Sequence, residues 1–138
     1  MNYKILSKYI KDVSFEIPNF PTFTSLEQEI TNYNLKFDIK SKALKNNIIE
    51  VNTILKLDPN DKVINKMLTE INYSTIISIE NTKDKKLIEK IILIEVPTMI
   101  YPSIYETFIY LFSQAGIKNL TIEKSVDFEK LYNERKKS

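Results

Sequence analysis

The stretch from Pro97 to Gly116 constrains the fold of this chain most, because its pattern predicts one long helix with both ends marked. Pro102 suits the first helical position, where its missing N–H costs nothing and its φ is already set. Gly116 is the only glycine of the chain, and it stands where a residue with left-handed φ would end the helix. Apolar residues recur between them at three- and four-residue spacing, at Ile104, Phe108, Leu111, Phe112 and Ala115.

The apolar face of this predicted helix is wider than one core requires. Tyr101, Tyr105 and Ile109 extend it to roughly 160°, whereas a surface helix needs about 100° to face one core. We therefore expect the helix to cover the chain's own sheet and to keep apolar surface for another copy of the chain, with Ile104 and Phe108 in that contact. A fully buried helix in a monomer would give the same pattern, so that alternative stays open.

Composition excludes several classes of function. The chain has no cysteine and no histidine, so disulfides, thiol chemistry and histidine general bases are not available to it. A metal would need an all-oxygen site, and no calcium-loop pattern occurs, so we expect neither metal nor cofactor. The net charge is +2, from 20 basic and 18 acidic residues, which is too balanced for a dedicated nucleic-acid binder.

Length and hydropathy predict a single cytoplasmic domain. A chain of 138 residues suggests one domain, spanning residues 1–138. No apolar run approaches about 18 residues, so no membrane insertion is expected. The first nine residues lack the apolar segment of a signal peptide, and a cytoplasmic location is therefore the expectation.

Four segments carry strand patterns. Apolar and polar residues alternate from Tyr9 to Ile17, which predicts a half-buried strand with Asp12 and Glu16 on its outer face and Ile10 on the same side. Further strands are predicted at 32–43 and 48–57 and within 63–79. Turns at 45–47 and 58–61 separate them, and such short turns predict antiparallel pairing.

The remaining segments are predicted to be one loop and a set of helices. Prolines end the first strand, and residues 19–31 are expected to form a loop whose Phe20 and Phe23 contact a partner or cover the edge of the core. Asn81 or Thr82 could cap a helix over 84–94 that ends at Val96-Pro97. Residues 117–123 are expected to be extended, and Ser125 to cap a last helix over 126–136. Strands followed by helices predict an α+β fold, a four-stranded antiparallel sheet with C-terminal helices.

Three segments carry a resemblance to a known family. Residues 8–19, K-Y-I-K-D-V-S-F-E-I-P-N, resemble the N-terminal signature of SecB, the bacterial protein-export chaperone. Residues 97–102 look like the family's P-x-x-[IL]-[FY]-P, and residues 125–132 look like its P-V-N-F-x-x-L-[FY]. The chain departs from the family at 72–75, where members usually carry glycines, and in its net charge of +2, since most members are clearly acidic.

The resemblance implies a function and a set of partners. SecB proteins are ATP-independent holdases, not enzymes, that keep preproteins unfolded and pass them to SecA, the motor ATPase of the export channel. They are homotetramers built as dimers of dimers. The implied partners of this chain are therefore unfolded preproteins, SecA and other copies of itself.

The resemblance also implies roles for individual residues. The residues that match the family's SecA-binding surface are Asp12, Glu16, Leu68 and Glu70. The positions that hold the family's tetramer together match Thr69, Ile71 and Tyr73, so a charge at Ile71 is expected to release dimers. The apolar strip that binds client polypeptide matches Tyr33, Leu35 and Phe37, with Phe20 and Phe23 expected at its edge.

Three other functions stay open at the level of sequence. An enzyme would have to work with carboxylates, lysine or tyrosine alone, and no such constellation occurs. The altered charge and the absent glycines allow a SecB-like chaperone dedicated to one client, such as an antitoxin in a toxin–antitoxin system. A structural or adaptor domain could use the same sheet to dimerise.

Overall fold

The computed structural model describes residues 3–80, 84–120 and 122–137, and within these the chain forms one four-stranded sheet and four α-helices. The strands are β1 (Tyr3–Glu16), β2 (Tyr33–Ala43), β3 (Ile48–Pro59) and β4 (Leu68–Ile79). The helices are α1 (Phe20–Glu29), α2 (Lys85–Lys90), α3 (Val96–Gln114) and α4 (Phe128–Lys137). This architecture confirms the predicted α+β class.

The sheet is antiparallel throughout, with the strand order β1-β4-β3-β2. β2, β3 and β4 follow one another as a meander, while α1 and a short 3₁₀ turn (Ile30–Asn32) carry the chain from β1 to the far edge. This is a Greek-key connection, and it leaves β1 and β2 as the two edges of the sheet. Asn46 and Asn47 turn the chain between β2 and β3 with φ of 59° and 60°, as expected for asparagines in a tight turn.

β1 is longer than predicted and is not regular. Register shifts between Ile5 and Ser7 and between Ile10 and Asp12 mark two bulges in its ladder with β4. A bulge adds one unpaired residue to the strand. If even-numbered residues face the core on one side of the bulge, odd-numbered residues therefore face it on the other side. Ile10 therefore lies opposite Tyr73 on the helix side of the sheet, and the prediction that it shares a side with Asp12 was wrong.

Residues 20–29 form a helix, so the predicted loop over 19–31 was also wrong. The Asn19 side chain caps α1 by accepting a hydrogen bond from the backbone N–H of Thr22 at 3.0 Å. Pro21 stands in the first turn, where a proline fits without loss of a hydrogen bond. Thr22 and Leu26 are buried, and they fasten α1 to the rest of the fold.

The chain is helical without a break from Lys85 to Gln114, because a π-helical turn (Ile91–Glu95) joins α2 to α3. The predicted boundary at Val96-Pro97 was wrong, and so was the predicted helix start at Pro102, which lies inside α3. Each proline removes one backbone hydrogen bond, and the wider π turn ends two residues before Pro97.

The helix ends carry specific capping contacts. Gly116 has φ of 92°, and the N–H groups of Gly116 and Ile117 donate to the carbonyls of Ser113 at 3.1 Å and Phe112 at 3.0 Å. This Schellman motif confirms the predicted end of the long helix. Asp84 caps α2 through Lys86 and Leu87, whereas Asn81 and Thr82, the predicted caps, lie outside the described residues.

The last helix begins later than predicted. Asp127, rather than Ser125, accepts from the backbone N–H of Lys130 at 3.0 Å, and α4 starts at Phe128. The described residues between Ile117 and Asp127 form neither a helix nor a ladder, so the segment predicted to be extended there adds no strand to the sheet.

The helices cover one face of the sheet, and the core lies between the two layers. The sheet contributes Val51, Leu55, Ile71 and Ile77 to this core, and α3 contributes Ile100, Ile104, Phe108 and Phe112. The other face, which we call the outer face, is not covered by any described helix. The outer face and the two sheet edges are therefore where binding surfaces can form.

Candidate functional site

The outer face carries three unpaired carboxylates on β1 and β4. Asp12 lies opposite Asn72 and Glu16 opposite Leu68 in the ladder, and Glu70 stands between those two β4 positions on the same side. All three acids are exposed, and none belongs to an ion pair among the described residues. Leu68 is 55% exposed, an apolar side chain set among them. The structure thus brings together the four residues that sequence reasoning assigns to this surface.

In a second part of the outer face, a lysine and a glutamate of the chain pair with each other. Lys11, at the second bulge, reaches across β4 so that its Nζ lies 3.1 Å from Oε2 of Glu50 on β3. Asn52 donates to the same oxygen at 2.9 Å. Hydrogen bonds from Asn52 and Lys11 lower the pKa of Glu50, so this carboxylate stays charged and occupied within the chain.

A third part of the outer face is basic. Lys56 of β3 lies opposite Glu70 on one side and opposite Lys36 of β2 on the other. Lys36 Nζ lies 2.7 Å from Asp58 Oδ2, and this hydrogen bond lowers the pKa of Asp58. The charges of Lys56 and Lys66 act on Asp58 in the same direction. We call Lys36, Lys56 and Lys66 the basic corner; sequence reasoning missed it, since it treated single lysines as uninformative.

The predicted client strip lies on the helix side of the edge strand β2. Tyr33 is buried, and its hydroxyl accepts a hydrogen bond from the backbone N–H of Met67 at 3.0 Å. Burial raises the pKa of Tyr33, which keeps the hydroxyl neutral. Phe37 is half-buried, and its ring meets that of Phe128 edge-on, with 5.0 Å between ring centroids. Leu35 is half-buried between them, so the strip is only partly open.

Two grooves border β2 and share Leu35. One, of 340 Å³, separates β2 from α4 and is lined by Leu35, Phe37, Asp38, Ile39, Leu93, Phe128, Leu131, Tyr132 and Arg135. The other, of 540 Å³, runs between the start of β2 and residues 122–124. Sequence reasoning missed the wall that α4 supplies. The spacing of Phe128, Leu131 and Tyr132 was the signal that could have found it, because these residues share one side of a helix.

Phe20 and Phe23 lie elsewhere. Their rings stack on α1 with centroids 6.2 Å apart, and Phe20 is 73% exposed. Phe23 packs against Gly116 at the end of α3. Neither residue lines either of the two grooves beside β2, so the structure does not join them to Tyr33, Leu35 and Phe37.

Most residues predicted to contact another copy are enclosed in the chain's own core. Ile71, Ile104 and Phe108 are 0% exposed and Thr69 is buried. A charge at Ile71 would therefore disturb the single chain, and a loss of oligomer after that change would not identify an interface. Tyr73 is half-buried and borders a shallow groove between β1 and α3.

The apolar surface that does reach solvent lies along β1 and α3. Ile10 is 47% exposed and Val13 38%, both on the helix side of the edge strand. Tyr110 of α3 is 62% exposed and borders the same shallow groove as Ile10. The wide apolar stripe of α3 predicted apolar surface left exposed to solvent. Ile10, Val13 and Tyr110 provide that surface, rather than Ile104 and Phe108.

The chemistry that these surfaces offer is charge pairing and apolar burial. The described residues contain no group of three or more acidic side chains placed to hold a metal ion. Within the same part of the chain, every helix is too short or too polar to cross a membrane.

The chain matches known proteins over nearly its whole length. A family model described as SecB, preprotein translocase subunit SecB, matches residues 1–138. A relative named putative protein-export protein SecB, from Pelagibacter ubique, is 44% identical over 135 residues, which cover 97% of this chain and 96% of the relative. A protein-export protein SecB from Parvibaculum lavamentivorans is 30% identical over 134 residues, covering 96% of this chain and 77% of the relative.

A solved structure shares the fold. It is a SecB-like chaperone of Mycobacterium tuberculosis in complex with a ChAD peptide from an antitoxin, with a TM-score of 0.70 and 13% sequence identity. The alignment covers 91% of this chain and 88% of that one. The fold, the match over the whole length and the two relatives agree, and the chain belongs to the SecB family of protein-export chaperones.

Proposed function

We propose that this chain is an ATP-independent holdase of the cytoplasm, a single domain over residues 1–138 that keeps preproteins unfolded and delivers them to SecA. The observation that supports the holdase activity is the pair of half-open grooves along β2, whose walls include aliphatic and aromatic side chains. Grooves lined by aliphatic and aromatic side chains can hold many sequences, because apolar burial has no directional requirement.

Client segments are proposed to bind along β2, with Leu35 and Phe37 as the accessible part of the strip. Leu35 lines both grooves, so an extended segment could pass from one to the other across it. Leu131 of α4 is 41% exposed and adds to the opposite wall. Binding of this kind should be broad in sequence and should show a negative heat-capacity change. Tyr33 is proposed to support the strip from below, since its hydroxyl is held by Met67.

The outer face is the proposed SecA contact. Asp12, Glu16 and Glu70 form a local acidic patch around Leu68, and none of the three is paired within the described chain. At physiological salt, screening over about 8 Å lets such a patch act although the whole chain is slightly positive. Reversing Glu70 to Lys should therefore slow SecA association and leave client binding nearly unchanged.

A homotetramer, built as a dimer of dimers, is the proposed assembly. β1 is a 14-residue edge strand, and Ile10 and Val13 leave apolar surface exposed along it. Unpaired edges of this length are templates for pairing with another chain. Tyr110 extends the exposed apolar surface onto α3, which gives a second direction for contact between copies.

The test of this proposal combines native mass with a holdase assay. The full chain is mixed without ATP with a chemically unfolded preprotein diluted into buffer, and light scattering follows aggregation. We expect a tetramer that suppresses aggregation in proportion to its concentration. A monomer that leaves aggregation unchanged would contradict the proposal. A dimer that suppresses aggregation would contradict only the proposed tetramer.

A chaperone dedicated to one client is the second candidate. The SecB-like chaperone that shares this fold was solved with a peptide from an antitoxin, although at 13% identity that likeness concerns the fold. Export is the better supported function, because the relatives at 44% and 30% identity are named protein-export proteins. A toxin gene beside the gene for this chain, together with suppression of aggregation for a single client only, would favour the dedicated chaperone.

A further inference from the structure

The unpaired charges at one end of the outer face are divided between its two halves. The acidic patch of Asp12, Glu16 and Glu70 belongs to β1 and β4. In the basic corner, Lys36 of β2 is paired with Asp58, and the lysines outside any salt bridge among the described residues are Lys56 of β3 and Lys66 of the loop before β4. The division runs between β4 and β3, at the point where Glu70 stands opposite Lys56.

The boundary between the two halves is not closed by an ion pair. Glu70 and Lys56 face each other directly in the ladder, yet neither belongs to a salt bridge among the described residues. Both side chains are exposed. On the far side of Lys56 stands another lysine, Lys36, and like charges directly opposite each other destabilise a sheet. Lys36 is itself paired with Asp58 at 2.7 Å, whereas Lys56 and Lys66 belong to no salt bridge among the described residues. The separation of charge that remains on this face is therefore the one between Glu70 and these two lysines.

The spacing makes both halves act on the same partner. Adjacent strands lie about 4.8 Å apart, so a row from β4 to β2 extends about 10 Å, close to the screening length at physiological salt. A cation placed over Glu70 is therefore within reach of Lys56. A uniformly basic segment laid across the sheet would meet attraction on one half and repulsion on the other.

We propose that the outer face takes a polypeptide segment of divided charge, with basic residues over β1 and β4 and acidic residues over the basic corner. This inference rests on the proposed SecA contact and specifies its chemistry. Charge complementarity selects this occupant, because a segment that carries both signs pairs with Glu70 and Lys56 together. Leu68, 55% exposed beside the acids, offers such a segment one apolar anchor.

The rest of the outer face agrees with this position of the segment. Lys11 and Glu50 satisfy each other across β4, and Asn52 adds a hydrogen bond to the same carboxylate. The acid at that end is already paired, so the unpaired acids Asp12, Glu16 and Glu70 mark the opposite end as the docking place. The segment should then run across the strands rather than along them.

The sign of one charge reversal tests the proposal. The double variant Lys56→Glu/Lys66→Glu makes the basic corner acidic, and surface binding to purified SecA from the same cell is followed at low and high salt. If the partner places acids there, association slows by about tenfold at low salt and less at high salt. A uniformly basic partner would associate faster with the same variant.

The matched control is Lys85→Glu/Lys86→Glu, two exposed lysines of α2 in the opposite layer, with the same change in net charge. It should leave the association rate unchanged. Glu70→Lys is measured beside both variants. If Glu70→Lys slows association while the Lys56/Lys66 variant speeds it or leaves it unchanged, the divided-charge partner is wrong and the SecA contact stands. If Glu70→Lys also has no effect, the SecA contact itself is wrong, and the inference falls with it.

Discussion

At the scale of single residues, Gly116 is a position where the addition of one methyl group should lower the stability of the chain. Its φ of 92° is left-handed, and a Cβ there would meet the Phe23 ring at 3.3 Å. We expect Gly116→Ala to lower the free energy of unfolding by about 1–2 kcal/mol, the cost of left-handed backbone for an L-residue. Urea denaturation measures this, and Gln114→Ala, an exposed change in the last turn of α3, should stay within about 0.5 kcal/mol. Equal midpoints for the two variants would contradict the prediction.

Tyr101 should make stability depend on alkaline pH. Burial, reinforced by Glu123, raises the pKa of Tyr101 to about 12, while an unfolded tyrosine titrates near about 10. Below pH ~10 both states keep the proton and the full stabilisation is present. Between pH ~10 and ~12 only the unfolded state loses it, so stability falls by up to about 1.4 kcal/mol per pH unit.

The comparison with Tyr101→Phe isolates this effect. The variant also loses the hydrogen bond that the Tyr101 hydroxyl donates to the Glu123 carbonyl, so it should be less stable than the parent at neutral pH. The difference between the two proteins should shrink as pH rises from ~10 to ~12. A constant difference across that window in urea denaturation would show that Tyr101 does not cause the dependence.

Residue-level prediction succeeded on β4, where no bulge interrupts the alternation of inward and outward side chains, and failed for Ile10 on the bulged strand β1. Alternation on β4 separates Leu68 and Glu70 from Thr69 and Ile71, and the structure separates them in the same way. The alternation of side chains does not state which face of the sheet the helices cover, so it could not show that Ile71 lies in the chain's own core. That information depends on the packing of α3, which is distant in sequence.

At the scale of elements, prolines explain most of the differences between sequence and structure. Pro21 was interpreted as a loop signal and Pro102 as a helix start, but the first stands in the first turn of α1 and the second inside α3. A proline restricts φ to a value that helices also use, so its presence does not distinguish these positions. The capping residue shows where a helix begins, and Asn19 caps α1.

α4 gives the sharpest test of the client grooves. Leu131 lines the groove beside β2 and is 41% exposed, so a charge there should not disturb the core. We expect Leu131→Glu to weaken binding of an unfolded client by about tenfold, because client apolar surface would meet an unpaired charge. Calorimetry with a reduced, unfolded client measures the change. Asn133→Glu on the same helix is the control, and equal affinity of both variants would place the clients elsewhere.

At the scale of the whole molecule, the exposed edge of β1 predicts how the assembly can be broken. Ile10 is 47% exposed, so Ile10→Glu should leave the single chain folded. In a tetramer that buries this edge, the unpaired charge costs several kcal/mol, and native mass spectrometry at about micromolar concentration should show smaller species. Leu44→Glu, at a residue 43% exposed beyond the end of β2, should keep the parent mass. A tetramer that survives Ile10→Glu would exclude this edge from the interface.

The class of the fold can be predicted from the sequence, whereas the order of the strands in the sheet cannot. Alternation at 32–43, turns with asparagine and a helical stripe after the strands suffice for an antiparallel α+β arrangement. The order β1-β4-β3-β2 depends on the pairing of β1 with a strand more than fifty residues later, and no local pattern records such a partner. The grooves beside β2 are equally non-local, because α4 supplies one wall.

The two bulges of β1 also determine where the length of the chain can change. Leu6 and Lys11 have no partner in the ladder with β4, so deleting either one would leave every remaining pair in place. Deleting a paired residue such as Ser14 would shift the register of all residues before it and exchange their faces. Loss of Lys11 would release Glu50, but loss of Ser14 would turn Tyr3 and Ile5 away from the core. Length variation in this strand should therefore concentrate at positions 6 and 11.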